Sequence, residues 1–279
     1  MSPVAYITYL LIIANLLVSY QGLRYTSFFD RYSFRVDEIL SGKQYFRLIS
    51  SSFLHNSWSH FIFNMLALYL FGQTLELFVG HFYFLIIYLA AFVGGDLLAL
   101  FVHRHHADYS ATGASGGVAG LIFATIALLP GIQISMFLIP ISIPGWLWGL
   151  IYVAYSIYGI LSRTGNAGHN AHLGGALTGL LVALLLHPWA FSQNTFTILL
   201  LAVPAIGFIF LIARKPHVLI VDNVFAKNPQ RATIDERYNM SRNQRQQEID
   251  AILEKIHRKG VDSLTKAEKQ KLDEYSSSR

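Results

Sequence analysis

The chain has 279 residues, of which 53% are hydrophobic and only 13% are charged, and it contains no cysteine. A soluble domain normally carries about twice that charged fraction, so the composition excludes an ordinary soluble protein. The missing cysteines exclude disulfides, thiolate catalysis and thiolate metal sites. Most of the net charge of +5 comes from the residues after position 213, which is typical of basic segments beside a membrane and does not indicate a nucleic-acid partner.

Long uncharged stretches predict an all-α polytopic membrane protein. No Asp, Glu, Lys or Arg occurs between Asp108 and Arg163, or between Arg163 and Arg214. About 20 apolar residues cross a bilayer core, so each stretch can hold two spans. The first apolar run has no basic residue before it and no small-residue cleavage site after it, which indicates a retained span. We predict seven spans in all, at residues 4–21, 58–79, 82–102, 114–130, 145–162, 171–189 and 195–213.

The first loop, residues 22–57, is rich in aromatic residues and arginine. Its end and the start of the next span read YFRLISSSFLHNSWSH, at residues 45–60. This stretch is too apolar for a solvated linker, so we expect it to lie in the membrane interface, where Tyr, Trp and Arg are favoured.

The predicted domains divide the chain at the membrane core and at the tail. Residues 1–190 form the core, residues 191–213 an additional transmembrane helix, residues 214–246 a polar linker and residues 247–279 a helical hairpin outside the membrane. Thr265 and Glu268 have the spacing of a capping box. Four apolar residues lie at helical spacing in the first half of the hairpin: Ile249, Ile252, Leu253 and Ile256.

The segment TGASGGVAG, residues 112–120, opens the fourth predicted span and contains Ser115. A serine hydroxyl becomes a nucleophile only when a base takes its proton, and the oxyanion that follows needs fixed hydrogen-bond donors. The start of a helix offers unpaired N–H groups and the positive end of its dipole. Gly113 and Gly116 allow a substrate backbone or a neighbouring helix to approach closely.

His172, at the start of the sixth predicted span, is the candidate base. Pairs of glycines spaced four residues apart let two helices pack backbone to backbone. Packing the fourth span against the sixth would therefore bring His172 next to Ser115. Such pairs follow both residues: Gly116 and Gly120, and Gly175 and Gly179.

The second predicted span contributes His60 and Asn64, which are four residues apart and share one helix face. The Asn64 amide can donate to an oxyanion, with His60 beside it. Glu76 and Asp96 are the acidic residues within the spans, where ionisable groups are costly and usually have a role.

Each of these features, taken singly, fits a protein without catalytic activity. Glycine-rich helices occur in transporters and channels, a serine in a membrane helix usually bonds a backbone carbonyl, and a histidine at the end of a span is usually interfacial. The three motifs occur together, however, in three different spans, and that conjunction favours catalysis.

In this combination the motifs resemble those of the rhomboid family of intramembrane serine proteases. GASG at 113–116 matches the nucleophile motif, AHLGGALTG at 171–179 the motif that carries the base, and HFIFN at 60–64 the second-span motif. The resemblance covers roughly residues 1–190. It implies a Ser-His dyad with these residues: Ser115 as nucleophile, His172 as base, Asn64 and His60 in oxyanion roles, and Gly113 in support.

Four other positions bear on the resemblance. Arg47 and Glu76 stand where the family keeps an arginine in the first loop and a glutamate at the far end of the second span. Phe46 stands where many members have tryptophan. Ala119, four residues after the serine, stands where some members have a tyrosine that stacks under the histidine.

The resemblance implies hydrolysis of peptide bonds in or near the transmembrane helices of single-pass membrane proteins. The expected partners are these substrates and the lipid bilayer, and neither a cofactor, a metal nor nucleic acid is required. The tail is similar to a C-terminal extension of some bacterial members, so we expect a bacterial plasma membrane. The oligomeric state does not follow from the sequence.

Three alternatives remain beside this interpretation. The histidine clusters HRHH, 103–106, and HNAH, 169–172, suggest a metalloprotease, but no HExxH motif is present, and HRHH is expected to be a solvated or headgroup-facing loop. A rhomboid-like binding protein without activity would share the fold. A transporter could use His60, Asp96 and His172 as a proton relay.

Two indications of membrane orientation conflict. The spans place Ser115, His172 and the tail on one side of the membrane. Every basic residue before the tail also falls there, so the positive-inside rule makes that side cytoplasmic. The resemblance implies an extracytoplasmic active site, and we adopt that orientation because first-loop arginines can have packing roles. These basic residues are Arg24, Arg31, Arg35, Lys43, Arg47, Arg104 and Arg163.

Overall fold

The computed structural model of the protein describes residues 4–136, 139–162 and 168–214, together with tail residues 248–249, 252–253, 255–256, 263–265, 268–269 and 271–272. Arg163 and all of the predicted linker after Arg214 lie outside the described residues.

Eleven helices are described. Up to the second long helix they are α1 (Tyr6–Arg24), α2 (Thr26–Tyr32), α3 (Val36–Leu40), α4 (Arg47–Ser50) and α5 (Trp58–Val79), with a single 3₁₀ turn at Ser51–Phe53. The remainder are α6 (His81–His103), α7 (Ser115–Leu128), α8 (Gly145–Ser162), α9 (His169–Leu186), α10 (Trp189–Gln193) and α11 (Thr195–Arg214). Four short strands pair in two antiparallel sheets: β1 (Phe34–Arg35) with β2 (Ser110–Ala111), and β3 (Gln133–Met136) with β4 (Ile139–Pro144).

All seven predicted spans are helical in the structure. Helices α1, α5, α6, α9 and α11 are long and apolar enough to cross a membrane, whereas α7 and α8 are apolar but shorter. The prediction of an all-α polytopic membrane protein is thus confirmed. The helix boundaries differ from the predicted ones by a few residues. Helix α9, for example, begins at His169 rather than at residue 171.

Helix α7 is the centre of the bundle. Every residue from Gly116 to Leu128 is buried, and α5, α6 and α9 pack around it. A helix of 14 residues is about 21 Å long, which is less than the roughly 30 Å of a bilayer core. The ends of α7 therefore lie within the thickness of the surrounding longer helices.

Glycines bring the backbones of α7 and α9 together, as the sequence predicted. A Cβ placed on Gly120 would lie 2.8 Å from the Gly175 carbonyl oxygen and 3.3 Å from the Gly179 Cα. A Cβ on Gly175 would likewise overlap the backbone of Gly116. No side chain larger than hydrogen fits between these helices without moving one of them.

The first loop is a folded unit. Phe34, Val36 and Ile39 are fully buried and form a small core with Ala99, Tyr109 and Ala171. Arg47 is also buried, and its guanidinium donates to the carbonyl oxygens of Asp30 and Ser33 at 2.8 and 2.7 Å. The packing role expected for first-loop arginines is therefore present at Arg47.

Glu76 ties the end of α5 to the start of α1. Its carboxylate is buried and accepts hydrogen bonds from the backbone N–H groups of Ile7 and Thr8 at 2.8 and 2.7 Å, and from the Thr8 hydroxyl at 2.6 Å. These amides belong to the first turn of α1, where N–H groups lack intrahelical partners. The acidic residue is thus a helix cap on the face of the bundle opposite the GASG motif.

The hairpin β3–β4, which links α7 to α8, has no counterpart in the sequence prediction. Ile134 pairs with Ile143 and Ser135 with Ser142, and the two serine hydroxyls lie 2.7 Å apart. The sequence QISMFLIPISIP contains no turn dipeptide and two prolines, so neither hairpin turn chemistry nor strand periodicity indicated it.

In the tail, the predicted capping box is present. The Glu268 carboxylate accepts hydrogen bonds from the Thr265 N–H and hydroxyl at 2.7 and 2.9 Å, and the Thr265 hydroxyl accepts from the Glu268 N–H at 3.3 Å. The described residues on both sides of it are helical. Their apolar contacts join Ile249, Ile252, Leu264, Ile256 and Leu272, whereas Leu253 is exposed.

Candidate active site

Ser115 is the first residue of α7, and its side chain is partly exposed although the rest of that helix is buried. The first N–H groups of a helix have no carbonyl partner within it. The first intrahelical acceptor is Ala114, whose carbonyl binds the N–H of Val118. The amides of Ser115 and Gly116 are thus positioned at the mouth of the helix beside the serine hydroxyl.

The turn before Ser115 depends on glycine at position 113. Gly113 has φ = 127°, a conformation that side-chain-bearing residues rarely adopt. A Cβ at this position would also lie 2.7 Å from the His60 ring. The Gly113 N–H donates to the Ser51 carbonyl at 3.1 Å, so Gly113 holds the turn in place and has no N–H left for a substrate.

His55, which the sequence analysis did not single out, supports the same turn. Its Nε2 accepts a long hydrogen bond from the Ala114 N–H at 3.5 Å, and its Nδ1 lies 2.8 Å from the Ser19 hydroxyl. An N–H can only donate, so His55 is neutral with its hydrogen on Nδ1. The Ser19 hydroxyl then donates to the Phe53 carbonyl at 3.0 Å. Hydrogen bonds through His55 thus connect α1 to Ala114, the residue before the candidate nucleophile.

Burial, and secondarily the neighbouring His60, lowers the pKa of His55 to about 3. The imidazole is fully buried, and burial disfavours the charged form of a histidine. The neutral acceptor that Ala114 requires is therefore maintained at every physiological pH. The sequence signal for His55 was only its place five residues before His60, outside any periodic segment.

His172 begins the second turn of α9, next to the contact between α9 and α7. A Cβ on Gly116 would lie 3.3 Å from the Ala171 carbonyl oxygen. The residue after Ser115 thus lies close to the residue before His172, so the two predicted residues belong to the same part of the α7–α9 contact. Among the described residues, no hydrogen bond joins the Ser115 hydroxyl to the His172 ring.

His60 and Asn64 lie on the same side of the site. The His60 Nδ1–H donates to the Asn56 side-chain oxygen at 3.1 Å, so Nε2 carries no hydrogen in the neutral ring. One N–H of the Asn64 amide donates to the His60 carbonyl at 3.1 Å, and the side chain is buried. The amide has a second N–H. Of these two residues, Asn64 is therefore the one equipped to donate to a substrate.

The expectation that HRHH forms a solvated loop is wrong for its first residue. His103 is buried at the end of α6 and stacks on Tyr109 with ring centroids 3.7 Å apart. Its Nε2 lies 2.8 Å from the Asn170 amide nitrogen in the first turn of α9. The loop therefore packs against the helix that carries His172, because one histidine reaches back to the bundle while the next two residues stay exposed.

Asp96 is bound to the first loop. Its carboxyl oxygen lies 2.9 Å from the Ser51 hydroxyl, which is also 2.6 Å from the Arg47 carbonyl. Ser51 is the residue whose carbonyl holds the Gly113 N–H. Asp96 thus contacts the support of the serine turn, which explains the acidic residue in α6 without a proton relay.

The arrangement provides the parts needed for acyl transfer. A hydroxyl at the start of α7 and an imidazole in the first turns of α9 belong to adjacent helices, unpaired helix N–H groups lie beside the hydroxyl, and α5 contributes a buried side-chain amide at Asn64. Within the described part of the chain, no three His, Cys, Asp or Glu side chains are grouped so that they could hold a metal ion.

Comparison with known proteins gives two family matches. A rhomboid domain model matches residues 42–189, and a model of a family of unknown function (DUF6576) matches residues 232–278. Similar proteins include Rhomboid protein 1, mitochondrial, of Saccharomyces cerevisiae, which is 32% identical over 138 residues, or 48% of this chain and 40% of that protein.

Two further relatives come from a plant and a bacterium. RHOMBOID-like protein 12, mitochondrial, of Arabidopsis thaliana is 30% identical over 60% of this chain and 54% of its own length. Rhomboid protease GluP of Bacillus subtilis is 28% identical over 64% of this chain and 34% of its own length. The chain spans between about a third and about half of the length of these three relatives.

Proposed function

This chain belongs to the rhomboid family, and we propose that it is an intramembrane serine endopeptidase that uses Ser115 as nucleophile and His172 as general base. The observation that supports the proposal is the close approach of Gly116 to Ala171, which are the sequence neighbours of Ser115 and His172. A similar protein from Bacillus subtilis is named a rhomboid protease, which supports the reaction class.

In the proposed reaction, His172 takes the hydroxyl proton of Ser115 while the serine oxygen attacks the carbonyl carbon of the scissile peptide bond. The tetrahedral intermediate collapses when the C–N bond breaks, and the departing amine takes the proton from His172. His172 then removes a proton from a water molecule, which attacks the acyl-enzyme. The ester C–O bond to Ser115 then breaks and the serine oxygen takes the proton back from His172, which releases the carboxylic acid product and regenerates the hydroxyl and the neutral imidazole.

The developing oxyanion needs fixed donors in a site of low dielectric constant. We assign this role to the N–H groups of Ser115 and Gly116 and to the second N–H of the Asn64 amide. The positive end of the α7 dipole adds to their effect. Gly113 and His60 act indirectly, since the Gly113 N–H is bound to Ser51 and the His60 Nδ1–H to Asn56.

Hydrolysis inside a bilayer requires water and an accessible carbonyl. Helix α7 is shorter than the bilayer core, and we propose that Ser115 at its start lies within the thickness of the membrane. The partial exposure of this residue would let water reach the hydroxyl. A helical substrate hides its carbonyls in its own hydrogen bonds, so the substrate must unwind locally, which helix-breaking residues near a small-residue cleavage site would favour.

The proposed cellular site is a bacterial plasma membrane. The structure has several membrane-length helices, which makes the chain an integral membrane protein. The relatives include mitochondrial and bacterial proteins, so the choice between these membranes depends on the similarity of the tail to bacterial extensions. We also propose that the active site opens to the extracytoplasmic side.

Cleavage of a model transmembrane substrate by the purified protein tests the proposal. Ser115→Ala and His172→Ala should each abolish turnover, and the double variant should be no slower than either single one, because the two residues act as one unit. A serine-reactive phosphonate should label Ser115, and EDTA should leave the rate unchanged. Each variant is compared with wild type by thermal melting in detergent to show that it is folded.

Three outcomes would contradict the proposal. Turnover by either single variant would exclude the dyad. A folded wild-type protein that neither cleaves substrates nor reacts with the phosphonate would favour the alternative of a rhomboid-like binding protein. Loss of the wild-type activity on chelation, restored by zinc, would indicate a metalloprotease.

A further inference from the structure

Two tyrosines of α8 face two histidines of α9. Tyr152 and Tyr155 are three residues apart on α8, and His169 and His172 are three apart on α9, so each pair lies on one face of its helix. The ring centroids of Tyr152 and His172 are 6.0 Å apart at 36°, and those of Tyr155 and His169 are 5.1 Å apart at 72°. These separations lie within the range of interacting aromatic pairs.

The two contacts are not equivalent. Tyr155 is more than half exposed and touches a buried histidine that has no assigned role. Tyr152 contacts the candidate base and is itself held from two sides. Trp148 stacks on it with centroids 5.2 Å apart at 18°, and the fully buried Phe123 of α7 meets it edge-on at 5.8 Å.

Within its own helix the His172 ring meets the His169 ring edge-on, with centroids 5.8 Å apart at 79°, and among the described residues Tyr152 is the ring of another helix that contacts it. The backbone N–H of His172 donates to the Gly168 carbonyl at 2.7 Å, which sets the main chain at the start of α9. No hydrogen bond reaches the ring itself from a described residue. The first two turns of α7 also contain no aromatic residue that could support it, since they read SGGVAGLI from Ser115.

We propose that Tyr152 is the positioning residue of His172, so that the ring of the general base is oriented from α8 rather than from the helix of the nucleophile. This inference rests on the proposed function and adds to it the element that controls the histidine. Because Phe123 braces the other side of Tyr152, one tyrosine links the helix of Ser115 to the helix of His172.

The aromatic ring, and not the phenolic hydroxyl, carries this role. A ring within about 6 Å of an imidazole limits its rotation, and it also stabilises the imidazolium that forms when His172 takes the serine proton. Phenylalanine keeps both effects, whereas leucine keeps the approximate volume and loses them. Tyrosine to leucine at position 155 is the matched control, because it removes an equivalent ring from the next turn of the same helix.

The experiment measures kcat and KM for a transmembrane substrate, the rate of phosphonate labelling at Ser115 and the melting temperature. Tyr152→Leu should lower kcat and the labelling rate by about tenfold, with KM and the melting temperature close to wild type. Tyr152→Phe should restore both rates to within about threefold, and Tyr155→Leu should leave them near wild type. A purely structural role would lower the melting temperature without this split between kcat and KM.

Wild-type rates in Tyr152→Leu would overturn the proposal, as would an equal loss in Tyr152→Phe or in Tyr155→Leu. A wild-type protein without any activity would contradict the proposed function, and the ring contact is then tested by NMR of histidine-labelled protein. The His172 ring signals, assigned with His172→Ala, should move in Tyr152→Leu and stay in Tyr152→Phe, because they feel the ring current of residue 152. Unchanged signals in Tyr152→Leu would overturn the contact itself.

Discussion

Ser115 and His172 lie near the starts of neighbouring helices, but the protein holds them by different means. The turn before the serine is fixed by directional hydrogen bonds from the first loop, in which Ser51 binds Gly113 and His55 binds Ala114. The histidine ring receives no hydrogen bond from the described residues and is packed against Tyr152 of α8. The nucleophile is thus fixed by a hydrogen-bond network, and the base by ring contact.

The two sides share one rigid element, which is the glycine contact between α7 and α9. This contact sets the distance between the two helix backbones. Contacts from other elements then orient Ser115 and His172 near the ends of these helices. Hydrogen bonds have narrow distance and angle limits, so the serine turn has one arrangement. Ring contacts tolerate small shifts, so the orientation of the histidine ring is set less narrowly. We therefore expect the largest loss of stability and activity when the α7–α9 contact is broken. A smaller loss is expected when His55 no longer supports the serine turn, and the smallest at Asp96, which acts on that turn through Ser51.

The largest effect is expected from Gly175→Leu, which breaks the shared contact. Its side chain would overlap the Gly116 backbone, so α7 and α9 would have to separate. Such overpacking destabilises by about 3 kcal/mol or more, and we expect a large fall in the melting temperature in detergent together with loss of substrate cleavage.

Gly159→Ala is the matched control on the α8 side of α9. The atoms nearest to its Cβ would all belong to the His169 side chain, which can shift more easily than the backbone that Gly175→Leu would meet, so this variant should melt closer to wild type than Gly175→Leu. A Gly175→Leu protein as stable as the Gly159→Ala protein would show that the α7–α9 contact is not the rigid element.

A smaller effect is expected from His55→Leu, which removes one support of the serine turn. It leaves the buried Ala114 N–H unpaired, at a cost of about 1–3 kcal/mol. A shift of the serine turn by about 1 Å can cost up to about 100-fold in rate, so kcat should fall at least about tenfold while KM changes little. Wild-type kcat in a folded His55→Leu protein would contradict this support.

His55→Gln separates the hydrogen bond from the charge. Glutamine can accept from Ala114 but does not titrate. The folded-state pKa of His55 is about 3 against an ordinary value of 6.5, so this residue leaves wild-type stability unaffected above pH 6.5 and lowers it as the pH falls toward 3. The loss at pH 5 is about 2 kcal/mol, and melting temperatures between pH 7 and pH 4 should fall less steeply in His55→Gln. Equal slopes would show that His55 does not resist protonation.

The parts of the fold and site that the sequence predicted are those with a local signal. Uninterrupted hydrophobicity located the spans, and the glycine spacing predicted how α7 meets α9. Both patterns can be recognised within a short stretch of sequence. The support of the site was missed because it joins distant residues: His55 reaches Ala114 across 59 positions, and Tyr152 is one of several aromatics in an apolar helix. His103 was misjudged since its neighbours are polar, although its own side chain turns inward.

The smallest effect is expected from substitutions of Asp96, which supports the serine turn indirectly, through Ser51. The Ser51 hydroxyl has one hydrogen and two oxygen neighbours. The hydroxyl donates to the Arg47 carbonyl at 2.6 Å and to the Asp96 carboxyl at 2.9 Å, so the two acceptors share its hydrogen. Asparagine can accept the same hydrogen bond through its side-chain oxygen. Asp96→Asn should therefore keep the melting temperature and should hold kcat within about threefold of wild type, whereas Asp96→Leu should lose one buried hydrogen bond, about 1 kcal/mol, with a drop of a few degrees in the melting temperature. If Asp96→Asn proves as damaging as Asp96→Leu, the hydrogen-bond acceptor alone is not sufficient, and the support of the serine turn then includes a buried charge that the histidine side lacks.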